Sequence, residues 1–227
     1  MTRDEAKRLA ARAALDLLPN EGVVGLGSGS TAELFIDEVG ALVRAGRKLT
    51  GVPTSEASRA RAERNGIPLL PDTGPWTIDV CVDGADEVSD ALDLIKGGGG
   101  CHTREKIVNA AAKTNVIVVD DSKLSRKLGE KWAVPVEILP FGRLATVRLL
   151  ERFGKVVLRE AKGSPGTPWM TDAGNFIYDV RAGVIERPAE LESELCRLPG
   201  VVDTGLFVGR ANVVLVAGET GLKRLDR

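Results

Sequence analysis

The sequence predicts an α/β protein: a doubly wound, Rossmann-like, mostly parallel sheet domain with a smaller ferredoxin-like α+β lid domain. Three observations predict it. Short apolar runs at 23–26, 48–52, 78–82 and 116–119 alternate with segments of helical spacing, the rhythm of βα units. After about residue 130 the order becomes β-α-β-β-α-β, a split βαβ pattern. A last apolar run at 212–217 then returns to the first sheet. Residues 1–130 plus 206–227 are therefore expected to form the α/β domain, and 131–205 the lid.

The chain opens with Ala6, Leu9, Ala10, Ala13 and Leu17 at helical spacing, so a helix is expected over 2–18, broken by Pro19 to Gly22. The strand at 23–26 runs into Gly25-Leu26-Gly27-Ser28-Gly29-Ser30-Thr31 and then a helical pattern through Val43. Strand, glycine-rich turn and helix together aim backbone N–H groups and a helix dipole at an anion. Ser30 replaces the third glycine of a dinucleotide fingerprint, and no Gly-Lys-Ser/Thr follows for a Walker A loop. The hydroxyls of Ser28, Ser30 and Thr31 suit a single phosphate; the competing reading is a tight turn with a hydroxyl cap. Next come a strand at 48–52, a helix at 55–65 stopped by Asn65-Gly66, and a short strand at 67–70. A helix at 103–113 precedes the β-branched strand 116–119, which delivers Asp121-Ser122-Lys123 to its carboxyl end. In the lid, strands are expected at 133–138, 155–160, 168–171 and 175–180. Helices are expected at 141–152 and 188–197, and 201–208 is extended.

Composition narrows the classes. A chain of 227 residues with 43% hydrophobic content builds a sizeable core. Net charge is −1, and no basic tract suggests nucleic acid. No apolar run has the length of a membrane span, and the first residues have no signal-peptide core. Cys81, Cys101 and Cys196 are odd in number and lack CxxC spacing, which favours a reducing cytoplasm. With His102 the only histidine, they argue against a zinc site.

The densest chemistry lies between Asp79 and Lys106. Asp79, Asp83, Asp86 and Glu87 fall within nine positions, Lys96 enters the run Gly97-Gly98-Gly99-Gly100, and Glu105 follows near a helix start. The strand at 78–82 places Asp83 at its carboxyl end, where open α/β sheets bind ligands. The glycine run leaves bare backbone that a ligand can approach closely. Acids after a strand also serve as turn formers and caps, but that reading does not explain four successive glycines.

These residues give the chain its resemblance to the ribose-5-phosphate isomerase family of the A type. The matching pieces are Gly27-Ser28-Gly29-Ser30-Thr31, Asp83-Gly84-Ala85-Asp86-Glu87, Lys96-Gly97-Gly98-Gly99 and Thr103-Arg104-Glu105-Lys106. Asp121-Ser122-Lys123, Pro135-Val136-Glu137, Leu198-Pro199-Gly200-Val201-Val202 and Gly205-Leu206-Phe207 also match, so the likeness runs nearly end to end. The resemblance implies interconversion of ribose 5-phosphate and ribulose 5-phosphate in the non-oxidative pentose phosphate pathway. It implies no cofactor, no metal, a cytoplasmic homodimer or homotetramer, and no nucleic-acid or membrane partner. It implies Glu105 as catalytic base. Ser28, Gly29, Ser30, Thr31, Asp83, Gly84, Ala85, Asp86, Lys96, Gly97, Gly98 and Gly99 would line the substrate site, with Lys123 near the phosphate. The sequence departs from the family pattern at Gly100-Cys101-His102, where small and aliphatic residues are usual.

The chemistry fits the residues. Aldose–ketose isomerisation moves a proton between neighbouring carbons through an enediol. Glu105 can carry that proton, and Lys96 with the glycine-loop N–H groups can stabilise the oxyanion. Asp83 or Asp86 can exchange hydroxyl protons during ring opening, and Lys7 is a further phosphate candidate. The rivals are a non-catalytic sugar-phosphate-binding regulatory domain, a Mg-dependent hydrolase built on the clustered acids, and a Lys96 Schiff base.

Overall fold

The computed structural model describes residues 1–227 and divides the chain into two compact units. The first contains Met1–Ala85, Arg104–Lys123 and Arg210–Arg227; the second contains Asp86–Thr103 and Leu124–Gly209.

In the first unit, α1 (Arg3–Ala13) begins at a capping box. Thr2 Oγ1 accepts the Glu5 N–H and the Glu5 carboxylate accepts the Thr2 N–H. The helix expected over 2–18 ends earlier, as a 3-10 turn over Ala14–Leu17. Then follow β1 (Glu21–Leu26), α2 (Ser30–Arg44), β2 (Lys48–Pro53), α3 (Glu56–Arg64) and β3 (Ile78–Asp83). Residues 67–70 bridge β2 only at Gly51 and Leu69, because Pro68 has no N–H to donate to a ladder.

The second unit's short strands β4 (Glu87–Val88) and β5 (Leu94–Ile95) were not anticipated. Helix α4 (His102–Ala110) stops three residues before the expected end, and β6 (Ala112–Asp120) begins at once. The early start lets β6 pair with the whole of β3, from Ile78 against Ala112 to Asp83 against Ile117. The chain continues through β7 (Val134–Ile138), α5 (Arg143–Leu150), β8 (Lys155–Leu158), β9 (Phe176–Arg181), α6 (Pro188–Cys196) and β10 (Val201–Thr204). It ends with β11 (Leu206–Phe207), β12 (Val213–Gly218) and β13 (Gly221–Asp226).

The first unit's sheet has the order β13-β12-β6-β3-β1-β2. Its strands are parallel except β13, which turns back on β12. The expected return of 212–217 to this sheet is found, with Val213 to Ala217 pairing with Val116 to Asp120. One face buries Val24, Leu26, Val80, Val82, Val116 and Val118 with Phe35, Ile36 and Val39 of α2 and the alanines of α1. The other buries Val52, Ile78 and Cys81 with Val108 of α4. Each large side chain withdrawn fully from water, as Phe35 is, stabilises the fold by about 1.5–3 kcal/mol. Helices on both faces make the sheet doubly wound.

The second unit's main sheet is antiparallel with order β10-β7-β9-β8, the arrangement of a β-α-β-β-α-β unit. Val136, Ile138, Val180, Leu150 and Leu195 form its core. A strand at 168–171 does not form; isolated bridges at Pro168 and Met170 stand in its place. The extended stretch 201–208 is two strands of two sheets, split at Gly205. That residue's N–H donates to Pro135 O and its carbonyl accepts from Lys96 N–H. The division of the chain also differs from the expected 1–130 plus 206–227 against 131–205. β5 pairs with both β4 and β11, and Val88 bridges Leu124, so 86–103, 124–130 and 206–209 belong with the second unit.

Candidate active site

β6, β3, β1 and β2 end side by side at the carboxyl edge of the first unit's sheet, the edge where such sheets bind ligands. β1 runs into Gly27-Ser28-Gly29, and α2 starts at once. Its N-cap is Gly29, at φ +89 and with no capping side chain, so the first-turn N–H groups are left for another acceptor. Ser30 is exposed there and Thr31 half-buried. Ser28 is engaged elsewhere. Its hydroxyl lies 2.8 Å from those of Thr54 and Ser55 and 3.1 Å from that of Ser58, and its N–H donates to Asp83. These three partners, Thr54 and Ser55 just after β2 and Ser58 in α3, carry no sequence motif and were not anticipated.

Asp83, at the end of β3, is buried. Its Oδ1 accepts N–H groups from Ser28 at 3.0 Å and Gly84 at 2.7 Å, tying the ends of β1 and β3 together. A Cβ at Gly27 would lie 2.3 Å from that oxygen, so position 27 admits only glycine. Gly84 and Ala85 follow, both half-buried. Lys123 closes the 3-10 turn that follows β6 and is half-buried. β6 and β1 flank β3, so their ends stand about 10 Å apart, within a span that a lysine and a helix start can share around one anion. Lys7, on α1, has its ammonium 3.9 Å from Asp4.

Glu105 reaches this edge through α4. Val108 packs against Cys81 and 3.0 Å from where a Cβ of Gly25 would stand. Glu105 is three residues earlier on the same helix face, about 4.5 Å towards the carboxyl edge. Gly27 and Asp83 are two strand residues past Gly25 and Cys81, about 6.6 Å in the same direction. Ideal geometry therefore puts Glu105 within about 2 Å of the height of Asp83 along the strand direction, and it is only 5% exposed. Its neighbour Arg104 donates to Glu56 at 2.7 Å, which holds the Glu56 carboxyl below its ordinary range.

The second unit holds the remaining candidates. Gly97 to Gly100 form a turn closed by the Gly100 N–H on Gly97 O at 2.9 Å. Gly97 and Gly100 have φ of +99 and +82, and a Cβ on either would strike the side chain of His102 or Trp169. A Cβ on Gly98 would meet Asp86 at 2.6 Å, whereas one on Gly99 would meet nothing within 4 Å. No protein neighbour requires Gly99 to be bare. Asp86 Oδ2 accepts the Gly98 N–H at 2.6 Å, so that donor of the expected oxyanion cradle is already taken. Lys96 is buried, its ammonium 5.6 Å from the centre of the Phe207 ring. The buried His102 ring packs against Gly97, with Nε2 3.4 Å from Asp203 O. Arg159 donates to the carbonyls of Gly97 and Gly98. It sits in no motif, and no local signal marked it.

The four clustered acids separate into two kinds. Asp79 lies at the opposite, amino end of β3, where Lys113 and the Val23 N–H bind it and hold its carboxyl below the ordinary range. Fully buried Glu87 accepts the N–H groups of Gly129, Lys131 and Trp132 and shapes that loop. No three His, Cys, Asp or Glu side chains form a group that could hold a metal ion.

Such a sheet edge, with a bare helix start, a tethered aspartate and a buried helix-borne glutamate, defines an α/β enzyme working at the carboxyl ends of its strands. The family model of ribose 5-phosphate isomerase A (phosphoriboisomerase A) matches residues 50–221. The ribose-5-phosphate isomerase A of Gloeobacter violaceus is 46% identical over 226 residues, 99% of this chain and 97% of that protein. That of Rhodopseudomonas palustris strain BisB18 is 44% identical over 234 residues, covering 100% of both. The solved structure of ribose 5-phosphate isomerase A from Methanocaldococcus jannaschii matches with a TM-score of 0.94 at 41% identity, over 100% of both chains. A D-ribose-5-phosphate isomerase in complex with phospho-erythronic acid matches with a TM-score of 0.96 at 39% identity, again over 100% of both. The chain belongs to the ribose 5-phosphate isomerase A family.

Proposed function

We propose that the protein interconverts D-ribose 5-phosphate and D-ribulose 5-phosphate, with Glu105 carrying the proton. As a member of its family it is an aldose–ketose isomerase. Glu105 takes the proton from C2 of the open-chain aldose, leaving an enediolate, and returns it to C1, while a hydroxyl proton moves from O2 to O1. The observation that supports Glu105 is its placement: buried, and one turn before Val108, which packs on Cys81 two residues short of Asp83. A carboxylate withdrawn from water there is the kind of group such a transfer needs.

The other roles follow from chemistry. The bare start of α2, with Ser30 and Thr31, and the Lys123 ammonium receive the 5-phosphate. Lys96 and the glycine turn stabilise the enediolate oxygen. Asp83 and Asp86 exchange hydroxyl protons as the ring opens. Gly29, Gly84, Ala85, Gly97, Gly98 and Gly99 lie along the sugar, and Ser28 holds the turn beneath it. We read the protein as cytoplasmic and homo-oligomeric. No helix is long and apolar enough to cross a membrane, and all three cysteines are thiols. The second unit displays Leu139, Phe141 and Leu144, with Phe141 93% exposed, an apolar surface suited to a second copy.

The test is direct. Protein pretreated with a chelator is incubated with ribose 5-phosphate and ketose formation is followed. Turnover without added metal is expected. No ketose would overturn the reading, and activity returning only with Mg²⁺ would favour the metal-dependent rival.

A further inference from the structure

We propose that Arg159 is a positioning residue for catalysis. It fixes and polarises the two peptide planes of the glycine turn, so that their N–H groups hold set directions. This rests on the reading that the turn lies against the reacting sugar.

Arg159 follows β8 directly, and its side chain is only 14% exposed. Two of its nitrogens form a fork with Asp179 on β9: Nε donates to Oδ2 at 3.0 Å and Nη2 to Oδ1. The third, Nη1, donates to Gly97 O and, at 3.3 Å, to Gly98 O. A single cation therefore grips two successive carbonyls of the one segment that has no side chains to steady it.

Peptide geometry converts that grip into direction. In a planar trans amide the C=O and N–H point opposite ways. The Gly97 carbonyl shares its plane with the Gly98 N–H, and the Gly98 carbonyl with the Gly99 N–H. Pulling both carbonyls towards Arg159 turns both N–H groups away from it. The first meets Asp86 Oδ2 at 2.6 Å, so one amide is stretched between a guanidinium and a carboxylate. The second belongs to Gly99, which is exposed and has open space around its α-carbon. A cation on the carbonyl also draws electron density from the amide and strengthens its N–H as a donor. Both effects favour a developing enediolate over a neutral ground state, so they act on kcat.

The main chain of Arg159 completes the bracket. Its carbonyl accepts the Trp169 N–H at 2.8 Å, and the Trp169 indole closes on Gly100. The turn is held by Arg159 at its first two carbonyls and by Trp169 at its last residue. An arginine serving only the β8–β9 pairing would need Asp179 alone.

The experiment compares wild type with Arg159→Ala, Arg159→Lys and Asp179→Asn in the isomerase assay, with thermal unfolding of each. Arg159→Ala is expected to lower kcat at least tenfold while KM stays within a few-fold. Guanidinium ion at sub-denaturing concentration should restore part of its kcat. Arg159→Lys should fall between, because an ammonium cannot serve the fork and both carbonyls together. A folded Arg159→Ala with wild-type kcat overturns the proposal, as does a loss that only tracks the folded fraction and that guanidinium does not rescue. Should Arg159→Ala not fold, Asp179→Asn decides: a several-fold drop in kcat at constant KM supports the proposal, and an unchanged kcat overturns it. Wild type inactive on ribose 5-phosphate would instead overturn the functional reading.

Discussion

Strand β3 makes the same contact at both of its ends. At the amino end Asp79 accepts the Val23 N–H at 2.9 Å, and a Cβ on Gly22 would lie 2.5 Å from its oxygen. At the carboxyl end Asp83 accepts the Ser28 N–H at 3.0 Å, and a Cβ on Gly27 would lie 2.3 Å from its oxygen. In each case an aspartate on β3 staples the backbone of β1 across a glycine. The surroundings differ. Asp79 reaches Lys113 and is partly solvated, whereas Asp83 is buried and takes a second N–H from Gly84. An aspartate beside a strand is thus a backbone tie first. What separates the two is the edge of the sheet each one occupies, and only the carboxyl edge is where such sheets bind ligands.

That contrast can be broken most forcefully at the carboxyl edge. Glu105→Gln keeps size and hydrogen bonding but removes the basic lone pair, so kcat should fall by about 10²–10⁴ with KM little changed. Exchange of the substrate C2 proton with deuterated water checks it; wild-type exchange in this variant would move the base elsewhere, with Asp83 next in line. The two staples can then be set against each other. Asp83→Asn retains an oxygen for both N–H groups but removes the carboxylate proposed to exchange hydroxyl protons, so kcat should drop by roughly 10² in a folded protein. Asp79→Asn should leave kcat unchanged, and equal losses in the two variants would erase the distinction drawn here. Lys123→Ala should raise KM, by about 1.5–3 kcal/mol in binding if the charge-assisted bond to phosphate is well made. An unaltered KM would remove Lys123 from the site.

The smallest effect concerns the amino edge and pH. The hydrogen bond from Lys113, followed by that from the Val23 N–H, depresses the Asp79 pKa in the fold. A depressed carboxyl contributes stability above its unfolded value, near pH 4, and loses that contribution as pH falls through the lower folded value. Urea midpoints should therefore fall less for Asp79→Asn than for wild type between about pH 5 and about pH 3. Parallel curves would show the tie to be inert.

Much of this was readable in the chain. The βα alternation, the glycine turn before α2, and Asp83 at a strand end all follow from local pattern, because each depends on residues adjacent in sequence. The acid cluster was readable only as a cluster. Telling Asp79 from Asp83 needs Val23 and Ser28, more than fifty positions away. Arg159 was illegible for the same reason, since its carbonyl partners lie 61 and 62 residues earlier. β13 was missed because Lys223, Arg224 and Asp226 give it a polar, solvated face, the composition of a tail as well as of an edge strand. The strand expected at 67–70 failed at Pro68, a residue that punctuates structure and deserved more weight than the apolar neighbours around it.

The chain passes between its two units at 85/86, 103/104, 123/124 and 209/210, and this has a consequence for synthesis on the ribosome. The strand that covers the outer side of β6 is β12, which follows the whole of the second unit in the chain. Until Val213 to Ala217 emerge, a nascent chain displays the apolar β6 with one row of backbone hydrogen-bonding groups open to any extended neighbour. The first unit cannot mature domain by domain as translation proceeds; it waits until Val213 to Ala217 have followed the whole of the second unit out of the ribosome. Premature termination before β12 would leave a sticky edge in place of a smaller folded enzyme.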